Sequence, residues 1–413
     1  MKKPLIALAL AASMAPGWAM DLLELHSQAR AQAPSLLQSE ARVGEQQALW
    51  RQTRAQLLPQ ADASWGPQRE RGGAGSERVS RIQVSQSLVN LQAWRQSAAQ
   101  ASAVEAQQQL LQASEQALRL RSASLYLQVL AAEGQARTQA ELEVAYATEA
   151  QRMAVRLREG LSAAVDAAQA QAFHRLAQIN AQGAQARLAQ ARAALLAHAG
   201  LSAWPSLTPL PAQQLPPALT LDIDSAADAP ELRALALQRQ SRAEQLDAER
   251  AAALPALTLR AEASRVDSGR WAQQAQLQLS LPLLDGGARS ARRDAAAERL
   301  RIAAAEQDAA QREQRRELSS QLQRLQAARA QAEAAAAGEQ AAAQALQAMR
   351  HGQELGSRST SDVLLAIQTL GQLRTQGLQA QLEAWLAWLE ALQVAGQLDD
   401  AALNTLNQSL KEA

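Results

Sequence analysis

Two aspartates 196 positions apart, Asp166 and Asp362, have the setting in this sequence that most invites chemistry. Each follows a glycine-centred break in a long proline-free tract, Glu159-Gly160-Leu161-Ser162 and Leu355-Gly356-Ser357. Each therefore falls in the first turns of a resuming helix, where a carboxylate stabilises the positive end of the helix dipole by about 0.3–1 kcal/mol. By themselves the breaks read as ordinary turns. Catalytic constellations are missing. His26, His174, His198 and His351 are scattered, without His-Glu-x-x-His spacing, and no Gly-x-Ser-x-Gly elbow occurs. Gly72, Gly73 and Gly75 lie in a polar loop between strands, where no helix opens to cradle a phosphate. No enzyme activity, cofactor or metal site is expected.

The spacing of the two aspartates belongs to a larger pattern. Pro34, Pro59, Gly160, Asp166 and Gly200 recur 196 positions later as Pro230, Pro255, Gly356, Asp362 and Gly396. A constant offset over most of the chain marks a duplicated unit, so the elements form one tandem architecture. No proline occurs between Pro67 and Pro205 or after Pro282. Proline inside a helix costs about 3 kcal/mol or more, so both tracts predict helix. Val104, Leu111, Leu118 and Leu125 fall seven apart as a coiled-coil seam, and Leu378, Leu382, Trp385, Leu389 and Leu392 give a second. Leu318, Leu322 and Leu325 continue the theme. Each repeat is expected to hold a helix of roughly 65 residues, a tight turn and a returning helix of roughly 40; at 1.5 Å per residue the longer reaches about 100 Å.

The segments before each tract alternate. Leu257, Leu259, Ala261 and Ala263 interleave with Thr258, Arg260, Glu262 and Ser264, and Ala275, Leu277, Leu279 and Leu281 with Gln274, Gln276, Gln278 and Ser280. In the first repeat Ala61, Ala63 and Trp65, then Ile82 and Val84, follow the same rule more weakly. Period-two patterning predicts a hairpin in each repeat, apolar on one face. Each repeat thus reads as helix (21–56 in the first), strand, loop, strand, long helix, turn, helix. Such hairpins suit the edge of a soluble domain or a membrane barrel. Four strands are too few to close a transmembrane barrel, which needs about eight, so a barrel requires several chains.

Lys2 and Lys3, an apolar stretch from Leu5 to Ala15, and Gly17-Trp18-Ala19 read as a secretory signal over residues 1–19. The chain has no Cys, which leaves neither a disulfide framework nor an N-terminal lipid anchor. Its formal charge of +1 becomes −1 once Lys2 and Lys3 are removed, giving no footprint for nucleic acid. Prolines 205, 209, 211, 216 and 217 mark an extended connector, dividing the chain into repeats at 20–200 and 227–413 joined by 201–226.

These features, in this order, resemble the TolC-like outer-membrane efflux proteins. The most specific segments are Arg156-Leu157-Arg158-Glu159-Gly160-Leu161 followed by Asp166, and Gly352-Gln353-Glu354-Leu355-Gly356-Ser357-Arg358-Ser359 followed by Asp362-Val363-Leu364. Leu281-Pro282-Leu283-Leu284-Asp285-Gly286-Gly287, Ser87-Leu88-Val89-Asn90 and Leu398-Asp399-Asp400-Ala401-Ala402-Leu403-Asn404 add to them.

The resemblance implies a mixed α and β fold, mainly long helical coiled coil. Four strands per chain would contribute to a twelve-stranded barrel of a homotrimer in outer-membrane lipid, continued by a periplasmic helical tunnel. It implies a passive exit duct for a tripartite efflux pump or type I secretion system, opened when an adaptor and an inner-membrane pump dock. Matched residue by residue, Asp166, Gln353 and Arg358 would form the closed-state latch, and Asp362 would ring the constriction. Gly160, Leu161, Gly356 and Ser357 would be the tips that meet the adaptor. Gln353 stands where the family usually has Tyr, and Leu365 where a second acidic ring is usual, implying fewer polar ties and weaker cation selectivity. The rival reading is a soluble periplasmic coiled-coil scaffold or adaptor without a pore.

Overall fold

The computed structural model describes residues 20–69, 76–207, 214–222, 227–267 and 269–411. The expected signal segment and Gly72, Gly73 and Gly75 lie outside them. Helices α1 (Leu22–Gln32) and α2 (Pro34–Ala55) lead into strands β1 (Gln60–Arg69) and β2 (Ser76–Val89), then α3 (Leu91–Arg158) and α4 (Ala164–Ala199). The second repeat gives α5 (Pro230–Ala251), β3 (Ala256–Val266), β4 (Ala272–Ser280), α6 (Ala288–Glu354) and α7 (Thr360–Val394), and α8 (Asp400–Lys411) follows.

The long helices run 68 and 67 residues and their returning partners 36 and 35, as the proline-free tracts predict. The leading segment differs from expectation. It is two helices, broken at Ala33, because the residue before Pro34 is held extended (φ −68°, ψ 109°) while Pro34 opens α2. Helix α8 was not foreseen. It buries Leu403, Leu406 and Leu410 against the core around Trp385, Trp388 and Tyr126.

Helix α3 is the hub, packing against α2, α4, α5 and α7, while α7 lies along α6. Alanine fills much of the interface, as at Ala99, Ala123, Ala170, Ala184, Ala384 and Ala387, all nearly or fully buried. Small side chains let these axes approach. At Gly371 a β-carbon would sit 2.8 Å from Leu142 Cδ2.

The four strands form one antiparallel meander in the order β1-β2-β3-β4, so β2 pairs with β3 across the repeats. Register places Ala61, Val84, Ala261 and Ala275 in one row and Asp62, Gln83, Glu262 and Gln274 in the next. One face carries Ile82, Leu259, Leu277 and Leu279; the other carries Gln60, Arg81, Arg260 and Gln276, with an Arg81–Glu262 ion pair at 2.9 Å. The outer edges of β1 and β4 pair with no strand among the described residues. Strand turns to helix where Asn90 Oδ1 accepts the Ala93 N–H at 3.0 Å, and where Asp285 accepts the N–H groups of Gly287 and Arg289. Among the described residues no helix is long and apolar enough to cross a membrane.

Candidate functional site at the helical tips

Both long helices end in the same backbone device. Gly160 (φ +71°) receives the left-handed step after Glu159, its N–H bonding to Leu157 O at 3.1 Å and that of Leu161 to Arg156 O at 2.8 Å. Gly356 (φ +75°) repeats it, with Gly356 N–H to Gln353 O at 3.1 Å and Ser357 N–H to Gly352 O at 2.8 Å. This Schellman closure satisfies the last carbonyls of the helix, and glycine alone takes that φ without strain. Leu161 and Leu355 are left 65% and 71% exposed, so each tip presents an apolar side chain to solvent.

The returning helices start differently. Helix α7 opens with a reciprocal capping box: Asp362 N–H donates to Ser359 Oγ at 3.2 Å and Ser359 N–H to Asp362 Oδ2 at 3.0 Å. The hydrogen bonds from Ser359, and Arg358 nearby, hold the Asp362 carboxyl below the ordinary carboxylate range. Helix α4 opens at Ala163, which has no side chain to cap it, although Asp166 stands in its first turn.

Under the tips, Gln353 is buried. Its Nε2 points to Thr360 Oγ1 at 3.5 Å, Thr360 Oγ1 to Met153 Sδ at 3.2 Å, and Gln353 Oε1 has no hydrogen-bond partner. Ser361 Oγ donates to Gln169 Oε1 at 3.0 Å, tying α7 to α4. Arg358 is exposed, and among the described residues neither it nor Asp166 makes an ion pair within the chain. The structure thus gathers Gln353, Arg358 and Asp362 at one tip and leaves Asp166 at the other.

Thr360, Met153 and Gln169 were missed by reasoning from sequence. The Ser359-x-x-Asp362 spacing was a readable cap signal. Above the tips, Tyr146 stacks on Phe173 at 5.5 Å and donates to Leu364 O at 3.4 Å; burial pushes its phenol up to about 12. Both rings line an amide-rich groove of about 430 Å³ with Gln139, Leu142, Gln372 and Gln376. No group of acidic and imidazole side chains among the described residues has the arrangement to hold a metal ion.

A sequence model described as outer membrane efflux protein matches residues 25–201 and again 224–397. The chain belongs to the outer membrane efflux protein family. Membership makes it an outer-membrane protein of efflux. No curated protein sequence matches it significantly. The fold superimposes on CusC with a TM-score of 0.82 at 19% identity, over 93% of this chain and 95% of that one. VceC of Vibrio cholerae gives 0.80 at 19%, over 91% and 96%. The outer membrane channel CmeC of Campylobacter jejuni gives 0.80 at 15%, over 94% and 89%. At such identities the likeness carries the fold alone.

Proposed function

We propose that three copies of this chain close a twelve-stranded barrel in the outer membrane, continued by a helical tunnel into the periplasm. The observation that carries this reading is the open sheet, with one apolar face and, among the described residues, unpaired edges on β1 and β4. In a lipid core every backbone N–H and C=O must be bonded, and a four-stranded sheet achieves that only by joining copies of itself. The repeats at 20–200 and 227–413, joined by 201–226, each contribute one hairpin and one helical pair.

In this reading substrates pass unchanged through an exit duct of a tripartite efflux pump or a type I secretion system. Gly160-Leu161 and Gly356-Ser357 are the points met by an adaptor, which an inner-membrane pump engages. Asp166 of one copy and Arg358 of its neighbour form the latch. Support comes from the absence of an ion pair for either side chain among the described residues. Gln353 contributes its amide, and Asp362 rings the constriction.

Single-channel conductance of the purified protein in planar bilayers, beside Arg358→Ser and Asp362→Ala, tests this. A small conductance that rises on loss of Arg358 supports duct and latch together. Unchanged conductance in that variant removes the latch assignment, and folded protein without channels removes the duct.

A further inference from the structure

The apolar face of the sheet changes character along its length. Nearest the helices it is aliphatic, with Leu257 opposite Leu279 and Leu259 opposite Leu277, and then Val84 and Ile82 among Ala61, Ala63, Ala261, Ala263 and Ala275. At the far end, beside the β1–β2 and β3–β4 loops, the same face ends in a row that pairs Trp65 with Ser80 and Ser80 with Arg265. Arg265 lies with its guanidinium carbon 5.5 Å from the ring of Trp271, immediately before β4. The next residue along β2 on this face, Arg78, is opposite Pro67 and exposed. Trp65 is 76% exposed and Trp271 44%, so tryptophans at both sheet edges flank the two arginines in solvent.

Among the described residues the charges at this rim are lopsided. Arg78 and Arg265 make no ion pair among the described residues, and Arg265 Nε is buried without a hydrogen-bond partner. Among the described residues Asp267 is the acid beside Arg78, its Oδ1 engaged by the Arg78 N–H at 2.8 Å and its own N–H donating to Arg78 O at 2.7 Å. Arg270 adds a further exposed cation in the β3–β4 loop. On the opposite, polar face Arg81 is neutralised by Glu262. Among the described residues Arg260 is also unpaired, but it lies on the polar face and nearer the helices, so at the rim the free guanidinium groups are on the face that the pattern gives to lipid.

From this geometry we infer that Trp65, Arg78, Arg265 and Trp271 form a docking surface for the phosphate-bearing headgroups of outer-leaflet lipids. The inference rests on the proposed barrel, which puts this face in lipid and this end outward, away from the periplasmic helices. Tryptophan settles at the headgroup level of a bilayer, and arginine binds phosphate through parallel N–H donors. An arginine braced by an adjacent indole loses little freedom on doing so. Phosphorylated glycolipid of the outer leaflet meets both demands, since its acyl chains cover the aliphatic rows while its phosphates reach the arginines.

Native mass spectrometry of the full-length protein tests the inference, comparing retention of diphosphoryl lipid A with the same glycolipid stripped of its phosphates. Each protein is first shown to form channels in planar bilayers. Wild type is expected to prefer the phosphorylated form by at least about tenfold, given roughly fivefold per arginine near an anionic surface. The double variant R78Q/R265Q is expected to lose that preference, and R260Q, on the polar face, to keep it. Equal retention of the two lipids by wild type, or an undiminished preference in R78Q/R265Q, overturns the inference and leaves the barrel standing. Displacement of the lipid by equimolar inorganic phosphate overturns it in favour of a free-anion site. Folded wild type without channels overturns the barrel and this surface with it.

Discussion

Ser359 and Asp362 hold each other across the start of α7, each side chain accepting the other's backbone N–H at 3.2 and 3.0 Å. The same carboxylate that caps the helix is the one proposed to ring the constriction. The two roles separate by substitution. Asp362→Asn keeps an oxygen that accepts the Ser359 N–H but removes the charge, so it is expected to lose cation selectivity while unfolding near the wild-type temperature. Asp362→Ala loses both, and Ser359→Ala loses only the cap, at about 0.5–2 kcal/mol for a cap deletion. Reversal potentials in a salt gradient, read beside thermal melts, check this. Strong cation selectivity surviving Asp362→Ala would sink the constriction role.

A second prediction concerns acid. Ser122 Oγ lies 3.1 Å from His26 Nδ1 and 2.9 Å from His198 Nε2, joining α1, α3 and α4. Burial lowers the pKa of both imidazoles; Arg119, Arg30 and His198 add to the effect at His26, Asp400 opposes it there, and Arg121 adds to it at His198. Groups buried neutral leave the unfolded chain holding more protons, so stability is full above the unfolded value near 6.5 and is lost as pH falls below it. The melting midpoint is expected to be flat above about pH 7.5 and to drop towards pH 5. His26→Asn with His198→Gln should flatten that slope; an unchanged slope in the double variant assigns the acid sensitivity elsewhere.

Close helix approach gives a third. A β-carbon at Gly371 would press on the Leu142 side chain, coming within 3.1 Å of its Cγ. Gly371→Ala gains about 1 kcal/mol in helix propensity against about 1–3 kcal/mol for overpacking. A net loss of stability is expected, and Leu142→Ala should suppress it. A Gly371→Ala variant that melts above wild type would show that Leu142 swings freely into the adjoining groove.

The two faces of β4 give a fourth. Leu277 and Gln276 are neighbours on opposite sides of the strand. A lysine on a lipid face costs about 2–4 kcal/mol at the bilayer midplane, and one facing a watery lumen costs little. Leu277→Lys is therefore expected to impair assembly into membranes, and Gln276→Lys to leave it intact. Recovery of heat-resistant oligomer from outer-membrane fractions measures both, and equal recovery would argue that the sheet does not sit in lipid.

Much of this was legible in the residues because the signals were local. Gly160 and Gly356 mark the tips since a left-handed step after a long helix calls for glycine, and the strict alternation through Leu257 to Ala263 could only be a strand. What stayed hidden depends on long-range geometry. Nothing in β2 or β3 announces that Gln83 will sit opposite Glu262, because that choice is made between segments far apart in the chain. The leading segment read as one helix over 21–56 until Ala33, before Pro34, was seen to be extended. The burial of Gln353 against Thr360 was equally unreadable, since it depends on how α6 and α7 meet at the tip.

The pairing of β2 with β3 has a consequence for assembly. The duplicated halves are stitched together within one polypeptide before any partner arrives. A ring made from such chains has half as many intermolecular seams to zip as one made from separate halves. Each remaining seam joins β4 of one copy to β1 of the next, both strands whose outer hydrogen-bonding groups are still uncommitted. Closing the ring thus becomes a search over few, identical joints, in which a copy inserted in the wrong order cannot occur.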